Sequence, residues 1–156
     1  MTGQPKYCID TSSLMDCRLR YYPPDVFPSL WQHMEELFEA GAIVSHEEVL
    51  KEITKRTDEL AAWAMGRADS FLSFDAPQEL VLINILERFP RLVMTGKGKH
   101  AADPFLIALA STTGTILVTQ EQPGGLKKPK IPDVCAALGI TAMPILDVFR
   151  EEGFTF

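Results

Sequence analysis

The stretch YCIDTSSL, residues 7–14, runs three apolar residues straight into a carboxylate. Tyr7, Cys8 and Ile9 suit a short buried strand, and Asp10 follows at once, an ion that resists burial unless it is partnered. Two uses reconcile Asp10 with that place. Its side chain can accept the free backbone N–H groups of a following helix, or it can stand at a sheet edge and hold a cation.

The pattern around this stretch alternates strand and helix. Short apolar runs bounded by polar or turn residues predict strands at 7–9, 42–44, 71–74, 92–94 and 116–119. Between them, apolar residues recur at helical spacing over 26–40, where Gly41 suits the C-terminal cap. Ser45 with Glu48 three residues on has the form of a capping box, opening a helix through Val49, Leu50 and Ile53. Further helices are expected over 58–66 and 78–88, from Asp103 as N-cap with Pro104 at the first position, over 132–139 and over 146–152. Strands alternating with helices imply parallel pairing through right-handed crossovers, an α/β sandwich.

A chain of 156 residues, 46% hydrophobic and 23% charged, is read as one globular domain. No apolar run nears the roughly 20 residues that cross a bilayer, and MTGQPK lacks a signal-peptide core, so the expected place is the cytoplasm. Cys8, Cys17 and Cys135 are widely spaced and indicate neither a disulfide framework nor a zinc site. The formal charge of −6 argues against a broadly basic nucleic-acid surface. The basic residues are nonetheless clumped, at Lys97, Lys99 and His100 and at Lys127, Lys128 and Lys130, as solvated loops or as a local positive lip.

Open parallel sheets bind ligands outside the carboxyl ends of their strands. Asp10 ends the first strand there, and Glu121 follows ILVT by two residues at the same edge. Asp103 opens the helix that leads into ILVT, which begins on that edge too. The helix after AIV also starts there and carries Glu48 and Glu52 on one face. At 1.5 Å of rise per residue, Glu48 lies about 4 to 5 Å along its axis and Glu52 about 10 Å, so geometry alone favours Glu48.

Taken singly, each acid has an ordinary use as a cap, a turn residue or a solvated helix residue. Taken together, carboxylates that converge raise one another's pKa, and a hard divalent cation relieves the repulsion. All-oxygen ligands favour Mg²⁺ or Mn²⁺, and such a site suits hydrolysis of phosphodiesters. This reading requires the oxygens of residues 10, 52 and 103 to meet closely enough to share an ion.

At these residues the chain resembles the PIN-domain ribonucleases, VapC-like toxins among them. The shared pattern is an Asp within an hhDTs stretch, a Glu on an early helix, an Asp opening a later helix and an acid just after an hhT strand. Here these are YCIDTSSL, VSHEEVLKEI, AADPFLIALA and ILVTQE. The segments RYYPPDVFPSLW, ADPFLIALA, VTQE and KIPDVC resemble one PIN-like subfamily long carried as a domain of unknown function. The resemblance implies a three-layer sandwich with a central, mostly parallel sheet. It also implies a Mg²⁺- or Mn²⁺-dependent ribonuclease, often the toxin of a toxin–antitoxin pair, with an antitoxin protein as partner and commonly a homodimer.

By that alignment the helix acid is Glu52 rather than Glu48. Asp10, Glu52, Asp103 and Glu121 are then the metal ligands and catalytic acids. Glu121 stands where many PIN domains carry Asp, one methylene longer, and acts directly or through water. Ser12 or Thr119 orients a ligand or water, and Lys97, Lys99 and Lys130 hold the RNA backbone. A PIN-like module that binds RNA or protein without cutting remains open on these residues, as does a flap-type DNA nuclease. Tyr21 and Tyr22 read as wall residues or as base-stacking rings. His33, His46 and His100 share no ligand spacing, TSS lacks a nucleophile-elbow pattern, and GKGK lacks P-loop spacing.

Overall fold

The structure, a computed structural model, describes residues 3–92, 101–125 and 127–156. Five strands, β1 (Tyr7–Ile9), β2 (Ile43–His46), β3 (Phe71–Leu72), β4 (Ile116–Val118) and β5 (Ala142–Met143), form one sheet in the order β3-β2-β1-β4-β5. Every neighbouring pair is parallel. β1 is central, and its three residues are wholly buried, which explains why it reads as an unbroken apolar run rather than an alternating one.

Right-handed crossovers put the helices between β1 and β3 on one face and those between β3 and β5 on the other. The first set is α1 (Thr11–Met15), α2 (Pro28–Glu39), α3 (Glu47–Thr54) and α4 (Glu59–Met65); the second is α5 (Ala76–Arg88), α6 (Asp103–Thr113) and α7 (Ile131–Leu138), with α8 (Ile145–Glu151) closing the chain. This is the PIN-like three-layer α/β sandwich that the sequence resembles. α6 buries Pro104, Leu106, Ile107, Ala108, Leu109 and Ala110 in succession. A helix apolar on nearly every side must be enclosed, and α6 lies against β1, β2 and β4 with α5 packed outside it.

Several expected boundaries shift. β2 continues to His46, so Ser45 is a buried strand residue whose hydroxyl donates to Ile9 O at 2.6 Å, not an N-cap. His46 is the cap of α3, its Nδ1 accepting from Glu48 N–H at 3.0 Å. Of the strand expected at 92–94, Leu92 ends a 3-10 turn, Pro90–Leu92, and residues 93 and 94 lie outside the described residues. α1, β5 and the π-helical turn Asp16–Tyr21 are additions to the expected elements.

That π-helical turn is anchored through Arg18. Its guanidinium stacks 4.5 Å from the ring centre of Trp31 and 5.0 Å from that of Trp63. The Arg18 fork also grips Glu59, with Nε 2.8 Å from Oε1. Planar Arg suits both contacts at once, so the segment leaving Asp10 is tied to α2 and α4.

Candidate functional site

β2 and β3 stack on one side of β1, and β4 and β5 on the other. Connections leaving the sheet in opposite directions open a crevice above the strand ends at such a point. Ile9 pairs with Val118, and the Asp10 N–H continues the ladder to Val118 O at 3.0 Å. Asp10 and the segment leading to Glu121 therefore flank the crevice by strand register.

Asp10 serves the first of its two possible uses without leaving the second. It caps α1, accepting the Ser13 N–H at 2.8 Å, and the Ser12 hydroxyl donates to its carboxylate at 3.0 Å. It also lines a cleft of about 470 Å³ together with Thr11, Ser12, Glu52, Asp103 and Glu121. Four acids drawn from segments far apart in sequence share that cleft.

Of the two candidate helix acids, Glu52 lies in the cleft. The Thr11 hydroxyl donates to its Oε1 at 2.7 Å, and the Ala102 N–H to its Oε2 at 3.0 Å. Glu48 instead pairs with Lys51 at 2.7 Å. The axial estimate fails because the second turn of α3, not its first, sits between α1 and the start of α6. Asp103 occupies the first residue of α6 with Pro104 second; the N-cap is Ala102, one residue earlier than expected.

Burial dominates the charge state of the site. It pushes Asp103 up to about 9, and the neighbouring charges of Glu121, Asp10 and Glu52 add to the rise while Lys130 opposes it. Asp10 is pushed up to about 6 by burial, although Thr119, Ser13 and Ser12 hydrogen-bond to it. Burial also raises Glu121, against the pull of Lys130, and Glu121 Oε1 is buried with no hydrogen-bond partner. At neutral pH the cleft therefore holds more carboxyl groups than it can keep ionised unaided.

The expected hydroxyls act on the acids themselves. Ser12 lies in the cleft and also accepts the Gln120 N–H at 3.4 Å, while buried Thr119 accepts the Glu121 N–H at 3.1 Å. Lys130 lines the cleft; Lys97 and Lys99 lie outside the described residues.

Hard carboxylate and hydroxyl oxygens are the donor chemistry of a Mg²⁺ or Mn²⁺ site, and the buried Glu121 Oε1, which has no hydrogen-bond partner, fits such a donor set. The close meeting of oxygens expected of residues 10, 52 and 103 is not complete. Among the described residues, no three or more His, Cys, Asp or Glu side chains converge closely enough to hold a metal ion. Glu52 is instead bonded to Thr11 and Ala102, and Asp10 to Ser12 and Ser13.

Thr11, Lys55 and Arg56 also line the cleft, and none was singled out in the sequence. Lys55 is the C-cap of α3, three residues after Glu52 and one turn along, and Arg56 follows it just past the helix end; the spacing from Glu52 is the signal that finds Lys55. Thr11 stands beside Asp10 in the first turn of α1.

The family profile of a domain of unknown function, DUF4411, matches residues 7–156. Among solved structures, FitAcB from Neisseria gonorrhoeae is similar with a TM-score of 0.52 and 15% identity, the match covering 88% of this chain and 96% of that one. PAE2754 from Pyrobaculum aerophilum is 18% identical with a TM-score of 0.42, over 89% of this chain and 98% of that one. At 15% identity the likeness to FitAcB is one of fold. No curated protein matches.

Proposed function

The chain belongs to the DUF4411 family, and from that premise we propose that it is a divalent-metal-dependent endoribonuclease, the toxin of a toxin–antitoxin pair. The observation that carries the reading is the gathering of Asp10, Glu52, Asp103 and Glu121 around one cleft at the switch point of a PIN-like sheet. These four acids would hold Mg²⁺ or Mn²⁺. When bound, the ion supplies an activated water and neutralises charge on the phosphate.

The chain's own residues prepare the rest. Ser12 and Thr119 fix Asp10 and Glu121 through hydroxyl hydrogen bonds, and Thr11 fixes Glu52. Asp103 holds a proton that it surrenders to an incoming cation. Lys55 and Arg56 on one side and Lys130 on the other give an acidic floor a cationic rim, the charge pattern that draws a phosphate backbone across it. The partner fitting the same charge is an antitoxin protein that lays a cationic side chain among the acids.

The test is calorimetric titration of Mn²⁺ and Mg²⁺ into the wild type and Asp10→Asn, with single-stranded RNA, branched DNA and a small phosphate ester offered in parallel. The expected results are metal binding that Asp10→Asn abolishes and cleavage of RNA alone. Branched DNA cut while RNA stays intact overturns the substrate.

One observation favours a second reading. Asp10 is a working cap and both Glu52 oxygens are engaged, as in a PIN-like module that binds RNA or protein without cutting it. Metal affinity indifferent to Asp10→Asn, with RNA bound and left whole, selects that reading.

A further inference from the structure

A second cavity lies on the far side of the loop that carries Glu121 and Lys130. It is a groove of about 490 Å³ lined by Phe89, Pro90, Pro129, Ala136 and Ala137, with Arg88 and Arg91, inside the roughly 300 to 1,000 Å³ of small-ligand sites. The acid cleft does not include these residues, and none of the roles given above uses them.

One loop divides the two cavities. Glu121 and Lys130 face the cleft, while Gly125 and Pro129 face the groove. Asp133 stiffens this partition, accepting the N–H groups of Gly124 at 2.8 Å, Gly125 at 3.2 Å and Lys130 at 2.8 Å. A Cβ at Gly124 would collide with Lys128 O and Lys130 Cγ, so Gly124 lies directly against both residues. Lys130 caps α7 and Asp133 stands in its first turn, so one end of this helix borders both cavities.

Resting on the nuclease reading, we propose that this groove seats an unpaired nucleobase of the RNA whose phosphate lies over Lys130, and so selects where the strand is cut. The lining has the chemistry of such a seat. Phe89 offers an aromatic face with the Arg88 guanidinium 5.4 Å from its ring centre, and bases splayed from single strands stack on aromatic rings and guanidinium planes. Pro129, Ala136 and Ala137 supply apolar wall. Arg88 and Arg91 are exposed and positive, suited to the phosphates on either side of the seated base. The acid in the lining, Asp133, has both carboxylate oxygens occupied by backbone N–H groups.

Ala136 is exposed on α7, so Ala136→Trp fills the groove from its rim without touching the core. The probe is fluorescein-labelled single-stranded RNA, its binding followed by anisotropy in EDTA and its cleavage followed separately with Mn²⁺. Ala136→Trp is expected to bind about five- to a hundredfold more weakly, the range for one stacked base, with unchanged circular dichroism; Arg88→Glu, which leaves the wall intact, is expected to weaken binding too. RNA affinity and kcat/KM equal to wild type in both variants overturn the groove and leave the nuclease reading standing. RNA bound through the groove but never cut with Mn²⁺ overturns the nuclease reading and leaves the seat. RNA affinity unchanged while a dimer is lost in Ala136→Trp assigns the groove to a second copy and overturns the proposal.

Discussion

The Thr11 hydroxyl donates to Glu52 Oε1 at 2.7 Å, linking the residue after Asp10 to an acid 41 positions later. Each carboxylate oxygen has two lone pairs, so this bond orients Glu52 while leaving it able to ligate. Thr11→Val keeps the shape and removes the donor. Mn²⁺ affinity measured by calorimetry is expected to fall about 10- to 100-fold, as when other outer-shell partners of metal ligands are removed, and Thr11→Ser is expected to keep most of it.

Asp103 makes the metal-free protein sensitive to alkali. Its pKa is raised from 3.8 to about 9, so between those values the folded chain keeps a proton that the unfolded chain releases. Stability then falls as pH rises across this window, and Asp10, raised to about 6, adds to the fall below that pH. Thermal unfolding in EDTA should show the midpoint dropping from pH 5 to pH 8, with Mg²⁺ restoring more at pH 8. Asp103→Asn, neutral at every pH, should flatten the drop and raise the midpoint at pH 8 by at least about 3 °C, the effect of roughly 1 kcal/mol in a domain of this size.

His46 is held neutral between two fixed partners. Its Nδ1 accepts from Glu48 N–H, leaving the proton on Nε2 to face Gln78 Oε1 at 2.8 Å. Burial lowers its pKa, while Gln78 and the charges of Glu47 and Glu48 oppose that and Lys51 adds to it. The unfolded chain therefore takes up the proton first as pH falls below 6.5, and stability is lost there. His46→Ala strands the buried Gln78 Oε1 and should cost about 1 to 3 kcal/mol in urea unfolding at pH 7.5, with a smaller further loss at pH 5.5 than wild type shows.

Lys55 is exposed at the C-terminal end of α3 and lines the cleft. Lys55→Ala should weaken binding of RNA of any sequence and lower the slope of log affinity against log salt by about one. Titrations in EDTA over a range of KCl concentrations check it. Circular dichroism should not change.

β1, the helix starting near Asp103 and the strand at ILVT were legible because each is an apolar segment with a sharp polar boundary. The placement of Asp10, Asp103 and Glu121 on one edge followed from topology alone. The choice of Glu52 over Glu48 did not, because it is decided by the bonds Glu52 makes with Thr11 and Ala102 rather than by position along the axis. β5 was missed because two residues before a proline carry no periodic signal. In α5 the apolar spacing found the helix but not its buried face: Ile83 is 47% exposed, and the helix buries polar Gln78 along with Ile85. Its inward face answers to the His46 hydrogen bond as well as to hydrophobicity. The charge state of Asp103 was foreseeable in kind, since acids crowded together must protonate or find a cation.

The parallel strand order has a bearing on how the protein is made. Asp10 leaves the ribosome early, but its partner strand β4 and Glu121 are translated more than a hundred residues later, and Lys130 later still. No stretch of nascent polypeptide short of that length can assemble the cleft. Synthesis therefore delivers the cleft's first acid long before its last lining residue, and the pocket closes only after β4 and the loop to Lys130 have emerged.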